Sequence, residues 1–234
     1  MRLNKYISET GVCSRRVADA WIEAGRVTHN GARATLGTQV EAGDRVCVDG
    51  RPIGQRAQRH VYIALNKPVG ITCTTERHVA SNIIDFIHHP QRIFPVGRLD
   101  KPSEGLILLT SNGDIVNEIL RSENHHEKEY LVTVDRPLTE AVLARLAAGV
   151  YLTGLGVKTR PCRVDMLATR RFRIVLTQGL NRQIRRMCEA HGYAVQRLQR
   201  VRIDNIQLGR LGAGQWRDLG AAELQRLLPQ RTAW

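Results

Sequence analysis

The stretch that most narrows the fold of this chain is "GLILLT", residues 105–110, which is apolar at nearly every position. It falls far short of the roughly 18 apolar residues a membrane-crossing helix needs. A short unbroken apolar run between polar turns reads as a strand buried in a sheet. Just before it stands "GRLDKPSE", where Pro102 forces the backbone to turn. A buried strand on one side holds such a turn rigid. Asp100 sits in it, between Arg98 and Lys101. A carboxylate fixed beside a guanidinium has its charged form favoured, which suits a nucleophile or a base. On the local residues alone, an Asp–Arg pair closing a surface turn is the simpler reading.

The rest of the chain from residue 61 alternates strands and helices. "VYIALNKP" reads as a buried strand ended by Pro68, "RIFPVGRL" leads into the Asp100 turn, and "KEYLVTVD" is a strand. "NGDIVNEILRS" carries Ile115, Val116, Ile119 and Leu120 at helical spacing, and "TEAVLARLAAG" is a helix closed by Gly149. In "RFRIVLTQ" the residues Phe172, Ile174 and Leu176 alternate onto one face. "NRQIRRMCEAHG" reads as a helix capped by Asn181 and closed by Gly192. Strands joined both by hairpins and by helices predict an α+β fold with a mixed, largely antiparallel sheet flanked by helices.

Residues 1–50 form a separate unit on this reading. "RLNKYISETG" makes a short helix burying Leu3, Tyr6 and Ile7. Ser14 caps a second helix whose Val17, Ala18, Trp21 and Ile22 share a face, and Gly25 follows its end. Asn30-Gly31 signals a hairpin, and "GDRVCVDG" a short strand with Val46 and Val48 on one face. Residues 51–60, "RPIGQRAQRH", are polar and basic and read as a linker to a third span, 61–234.

The formal net charge is +13, with a pI near 10.3. A surface this basic attracts a polyanion, nucleic acid first. No basic amphipathic helix flanked by bulky aromatics points to a membrane surface. The N-terminal residues have no signal-peptide core, so a cytoplasmic location with reduced thiols is expected. Cys13, Cys47, Cys73, Cys162 and Cys188 are scattered, with neither a disulfide framework nor zinc-site spacing. His125 and His126 read as solvated polar residues rather than metal ligands. With no phosphate loop, dinucleotide fingerprint or metal cluster, no cofactor and no metal are expected.

Helix, helix, hairpin and strand in "RLNKYISETGVCSRRVADAWIEAGRVTHNG" and "VEAGDRV" resemble an S4 domain, a small RNA-binding module. The resemblance implies contact with structured RNA through Arg15 and Arg16 at the start of the second helix, with Lys5 close by. "GRLDKPSEGLILLTSNGD" closely resembles the signature of the RsuA-like RNA pseudouridine synthases, in which the G-R-L-D segment carries the catalytic aspartate, here Asp100. "YIALNKPVGITCTT", with Lys67, is similar to the family's first motif. "KEYLVTV" is similar to the segment holding the active-site tyrosine, here Tyr130. "QGLNRQIRRMCEAHGY" is similar to the third motif with its ion-pairing arginine, here Arg185. All stand in family order. Where most members carry E-G-x-x-x-Q, this chain has Gln178-Gly179-Leu180, a departure that with "NHHEKEYLVTV" and "GQWRDL" resembles the RluF-type branch.

The family's chemistry turns uridine into pseudouridine. The C1′–N1 bond breaks, the uracil turns, and C1′ bonds to C5. The resemblance implies that the target base leaves its helix, that Tyr130 is its flat partner and a participant in proton transfer, and that Arg185 pairs with Asp100. It further implies substrate contacts from Arg98, which fills the space left by the base, from Leu99, and from Lys67. Arg182 and Arg186 are assigned to RNA backbone, with the helix start at Asn181 favouring a phosphate. Arg200 and Arg202, with Arg197 nearby, are expected to form a basic strand face tracking the RNA. The implied substrate is 23S ribosomal RNA, alone or in an assembling large subunit, with a tRNA as a second target. The protein is expected to be a monomer. Two other readings stand beside this one. One is a non-catalytic ribosome-assembly factor. The other is a glycosidic hydrolase pairing Asp100 with Glu104.

Overall fold

The computed structural model describes residues 1–54, 60–121 and 125–231. They form two compact units. The first takes in the residues up to His60 together with Pro90–Arg92 and Ser111–Gly113, and the second holds the remainder. Among the described residues no helix is long and apolar enough to cross a membrane.

The first unit runs α1 (Leu3–Glu9), α2 (Arg15–Glu23), β1 (Val27–His29), β2 (Ala32–Arg33), β3 (Val46–Val48) and β4 (Arg51–Ile53). Ser14 caps α2 as expected, its side chain accepting from the Val17 amide at 3.2 Å. Ala18 and Ile22, one turn apart, enter the core with Leu3 and Ile7. Val17 does not join them. It lies one residue and so about 100° round the helix from Ala18, and is 41% exposed. Asn30 and Gly31 both take positive φ (51° and 86°) and join β1 to β2 as a two-residue hairpin turn. The sheet order is β2-β1-β3-β4. Arg51–Ile53 is therefore not linker: its backbone pairs with β3, which composition alone does not register. Residues 55–59 of the expected linker lie outside the described residues.

The second unit contains β5 (Tyr62–Lys67), α3 (Ile83–Ile87), β6 (Phe94–Val96), β7 (Glu104–Thr110), α4 (Asp114–Leu120), β8 (Lys128–Val134) and α5 (Glu140–Ala147). There follow β9 (Tyr151–Leu152), β10 (Val157–Lys158), β11 (Arg163–Ala168), β12 (Arg171–Leu176), α6 (Gln183–Glu189), β13 (Val195–Ile203), β14 (Ile206–Gln207), β15 (Trp216–Asp218) and α7 (Ala221–Leu227). Among the described residues one nine-stranded sheet is ordered β11-β12-β8-β13-β7-β5-β15, with β14 on β13 and β6 on β7. The fold is α+β, and every pairing in this sheet is antiparallel except β13 with β7.

The apolar runs are explained by burial on both faces. On β5 and β7, Ala64, Leu106 and Leu108 pack on one side with α4 and α7. Ile63, Leu65, Ile107 and Leu109 pack on the other with α3 and Leu99. A third core joins β8 and β12 to α5 and α6 around Phe172, Leu146 and Met187. The parallel seam of β13 and β7 lies centrally in the sheet. There Arg200 faces Gly105, whose φ is +103°. A Cβ at Gly105 would stand 2.2 Å from the Arg200 carbonyl oxygen, so this seam closes only over glycine.

Candidate active site

The turn carrying Asp100 spans the gap between β6 and β7 and is anchored from two sides. Leu99 is buried, and its amide donates to the Cys73 sulfur at 3.4 Å. The Gly70 amide donates to the Lys101 carbonyl at 2.8 Å, and the Ser103 amide to the Asp100 carbonyl at 2.9 Å. From the other side Arg185 donates through Nη2 to the Pro102 carbonyl and to the Ser103 hydroxyl, each at 3.2 Å. Its Nη1 reaches the Val195 carbonyl at 3.0 Å. The Asp100 backbone is thus held by α6 and by the loop after β5.

A cavity of about 330 Å³ opens at this turn, within the usual size range of small-ligand sites. Its wall includes Arg98, Leu99, Asp100, Lys128, Tyr130 and Arg200, with the loop from Gln178 to Ile184 opposite. Among the described residues lining it, Asp100 is the one carboxylate. Tyr130 is half-buried, and the Arg200 guanidinium stands over its ring at 6.0 Å from the centroid. Lys128 is buried and donates to the His126 carbonyl at 2.9 Å. Burial lowers its pKa, the nearby Arg200 adds to this, and Asp204 opposes it. Among the described residues no three His, Cys, Asp or Glu gather so as to hold a metal ion.

The structure brings Asp100, Tyr130, Arg98, Leu99, Asn181 and Arg182 to one cavity. Several expectations are corrected. Arg185 makes no ion pair with Asp100. Arg185 is 8% exposed, and its guanidinium closes on the turn instead, coupling to Asp100 through the field. Lys67 is fully buried, with Nζ donating to the carbonyls of Pro68 (2.8 Å) and Ile71 (2.9 Å). It is therefore placed to brace the loop that holds Leu99 and Lys101, not to touch a substrate. Burial pulls its pKa down, against the fields of Cys73, Asp100 and Glu104.

The start of α6 also differs. Arg182, not Asn181, is the cap residue; it is left-handed (φ 51°), and its side chain makes no capping bond. Asn181 instead accepts from Arg186, through its carbonyl at 3.1 Å and its side chain at 3.3 Å. Arg186 is thereby tied to its own loop, while Arg182 and Asn181 are exposed. Nor do the β13 arginines form a shared basic face. A register shift between Arg200 and Arg202 sets Arg200 opposite Tyr130 and Arg202 opposite Glu129, and adjacent strand residues point to opposite faces. Arg202 pairs with Glu127 and Glu129, and Arg197 with Glu104. That last pairing occupies Glu104, which does not line the cavity, so the two-carboxylate arrangement of a glycosidase is not built here. His126 is not simply solvated, since its Nδ1 lies 2.8 Å from Asp204. Gln178, where most relatives are expected to carry Glu, accepts from the Arg160 amide (2.5 Å) and from Gln183 (3.4 Å) through one oxygen. An oxygen acceptor is needed there, and either residue supplies one.

A family model described as RNA pseudouridylate synthase matches residues 61–190, and one described as S4 domain matches residues 1–46. The chain belongs to the RNA pseudouridine synthase family. It is 57% identical over 225 residues to the dual-specificity RNA pseudouridine synthase RluF of Escherichia coli K12, covering 96% of this chain and 77% of that one. It is 34% identical to the ribosomal large subunit pseudouridine synthase B of Bacillus subtilis, over 97% of this chain and 95% of that one. A solved structure titled pseudouridylate synthase superposes with a TM-score of 0.72 at 29% identity, covering 97% and 99% of the two chains. The cavity at Asp100 is therefore the candidate site for isomerising uridine in an RNA.

Sequence reasoning missed three parts of this synthase's site. The brace between Lys67, Cys73 and the Asp100 turn is one. The inward-facing Arg200 is another, hidden by a register shift that leaves no mark on the spacing of arginines. The third is Leu120 at the cavity wall, which is 41% exposed although it sits in an apolar helical pattern.

Proposed function

We propose that this synthase isomerises a specific uridine of 23S ribosomal RNA, with a tRNA uridine as a second substrate, and that Asp100 opens the reaction. The observation that carries the reading is the solitary carboxylate of the cavity, on a turn anchored from both sides. One fixed carboxylate is what the chemistry asks for. It adds to C1′ or takes the C2′ proton as the C1′–N1 bond breaks. The names of the relatives support the substrate class: one is a large-subunit ribosomal RNA enzyme and one is dual-specificity.

The flipped uracil enters the cavity and lies against Tyr130, and the cost of unstacking is a few kcal/mol. Exposed Arg98, two residues from Asp100, takes the vacated place in the RNA. Arg182, exposed at the cavity, meets the backbone. Arg15 and Arg16, exposed at the first turn of α2, bind the RNA backbone.

The test is pseudouridine mapping on 23S RNA transcript, large-subunit precursor particles and tRNA, with wild type beside Asp100→Asn. Expected is a new pseudouridine with wild type and none with the variant, while RNA binding persists. Modification surviving in Asp100→Asn would refute the role of the aspartate. Modification of some other RNA alone would refute the substrate assignment.

A further inference from the structure

The three arginines of β13 are treated differently by the fold. Arg197 and Arg202 have glutamate partners. Arg200, between them, has no carboxylate partner among the described residues and is 5% exposed. Its Nε is fixed by the Leu106 carbonyl at 2.6 Å, while Nη2 is buried with no acceptor. The residue lines the cavity with Asp100 and stands over the face of Tyr130. Arg200 stays in register with Leu198, which lines the same cavity, while the shift that follows it sends Arg202 to the opposite face, and Gly105 lets β7 close against the Arg200 backbone. Bulges that re-aim a side chain cluster beside active sites.

A buried cation and an orphaned donor both call for an acceptor that the folded chain does not provide. The reaction supplies one. When C1′–N1 breaks, the electron pair leaves with the uracil and spreads over N1, O2 and O4. The sugar carbon is taken by Asp100, or Asp100 takes the C2′ proton. C5 then bonds to C1′ as the Asp100–C1′ bond breaks, or as Asp100 returns the proton to C2′; the C5 proton is lost and N1 gains one, so the product is an isomer. The negative charge lives briefly on the base, which lies against Tyr130.

We propose that Arg200 is a catalytic residue, its Nη2 donating to a carbonyl oxygen of the departing uracil anion. The proposal rests on the reading that Asp100 attacks a uridine flipped against Tyr130. It is tested with Arg200→Met, which removes the charge, and Arg200→Lys, which keeps it. Single-turnover rates are measured on one RNA carrying uridine and on the same RNA carrying 5-fluorouridine at the target, following loss of the parent nucleoside. Fluorine withdraws electrons, so the fluorouracil anion needs less help.

Arg200→Met should lower the rate on uridine by about 10²–10³-fold, with a deficit about tenfold smaller on 5-fluorouridine. RNA affinity should be unchanged, and Arg200→Lys should recover part of the rate. The ratio of the two rates comes from one preparation, so partial unfolding does not imitate it. Equal deficits on both substrates overturn the proposal, as does a loss confined to affinity, which would mark a phosphate contact. A wild type that consumes neither substrate in any RNA refutes the underlying reading and the proposal with it. An active wild type with equal variant deficits refutes the Arg200 assignment alone.

Discussion

Arg185 divides its donors among Val195, Pro102 and Ser103, three acceptors reached at once by a rigid fork. Burial pushes its pKa below the ordinary arginine value, with Arg182 adding to this and Asp100 opposing it. That opposition is the remaining trace of the ion pair the sequence suggests. Arg185→Lys keeps the charge and loses the fork, since one ammonium cannot span a strand carbonyl and the turn. Buried acceptors left unmet cost about 1–3 kcal/mol each. The variant should lose roughly 2 kcal/mol of stability in urea unfolding. Its single-turnover rate should drop about 100-fold with RNA affinity little changed, because the Asp100 turn loosens. A lysine variant as fast as wild type would show that charge alone suffices. That Asp100, Tyr130 and Leu99 gather at one cavity was legible because each occupies a fixed place in a recognisable motif. Whether Arg185 meets the carboxylate or the backbone beside it is a matter of an ångström or two, and spacing in sequence has no such resolution.

At the level of elements, the strands that were legible are those whose burial leaves a pattern. "GLILL" and "YIAL" are apolar throughout because both faces are covered, and "RFRI" alternates because only one is, before Val175 and Leu176 are both buried at the end of the strand. Illegible were α3, five residues long, and β15, a three-residue edge strand, both too short for a period to show. The parallel seam was equally silent. It joins β7 and β13, some ninety residues apart, through a glycine whose role is set by its partner. Gly105→Ala tests that seam. The Cβ would meet a backbone oxygen at 2.2 Å from a φ of +103°, so neither a rotamer nor a flexible neighbour relieves it. A loss of roughly 2–5 kcal/mol is expected in urea unfolding, from strain and overpacking together. Activity should fall with it, since β13 and the Asp100 turn that leads into β7 line the cavity. A variant unfolding at the wild-type midpoint would show that the two strands can part without consequence.

For the molecule as a whole, the +13 charge is the property most directly tied to its substrate. Part of the basic surface within the second unit is already paired, as with Arg173 to Asp165, Arg217 to Glu223 and Arg231 to Glu118. In the first unit, Arg15 and Arg16 stand exposed in the first turn of α2, with no acidic residue in that turn. Positive charge at a helix N-terminus opposes the helix dipole, by about 0.3–1 kcal/mol per charge at low salt. A fold that keeps two arginines there retains them for something other than stability, and phosphate contact is the use that fits an S4 domain. Arg15→Ala with Arg16→Ala should therefore leave the first unit as stable or slightly more so. The slope of log affinity against log salt should fall by about 1.5, two phosphate contacts' worth. Single-turnover rate at saturating RNA should hardly change, because neither residue belongs to the cavity. If the double variant instead lost rate at saturation and kept its salt slope, α2 would be acting on the chemistry rather than on capture of the RNA.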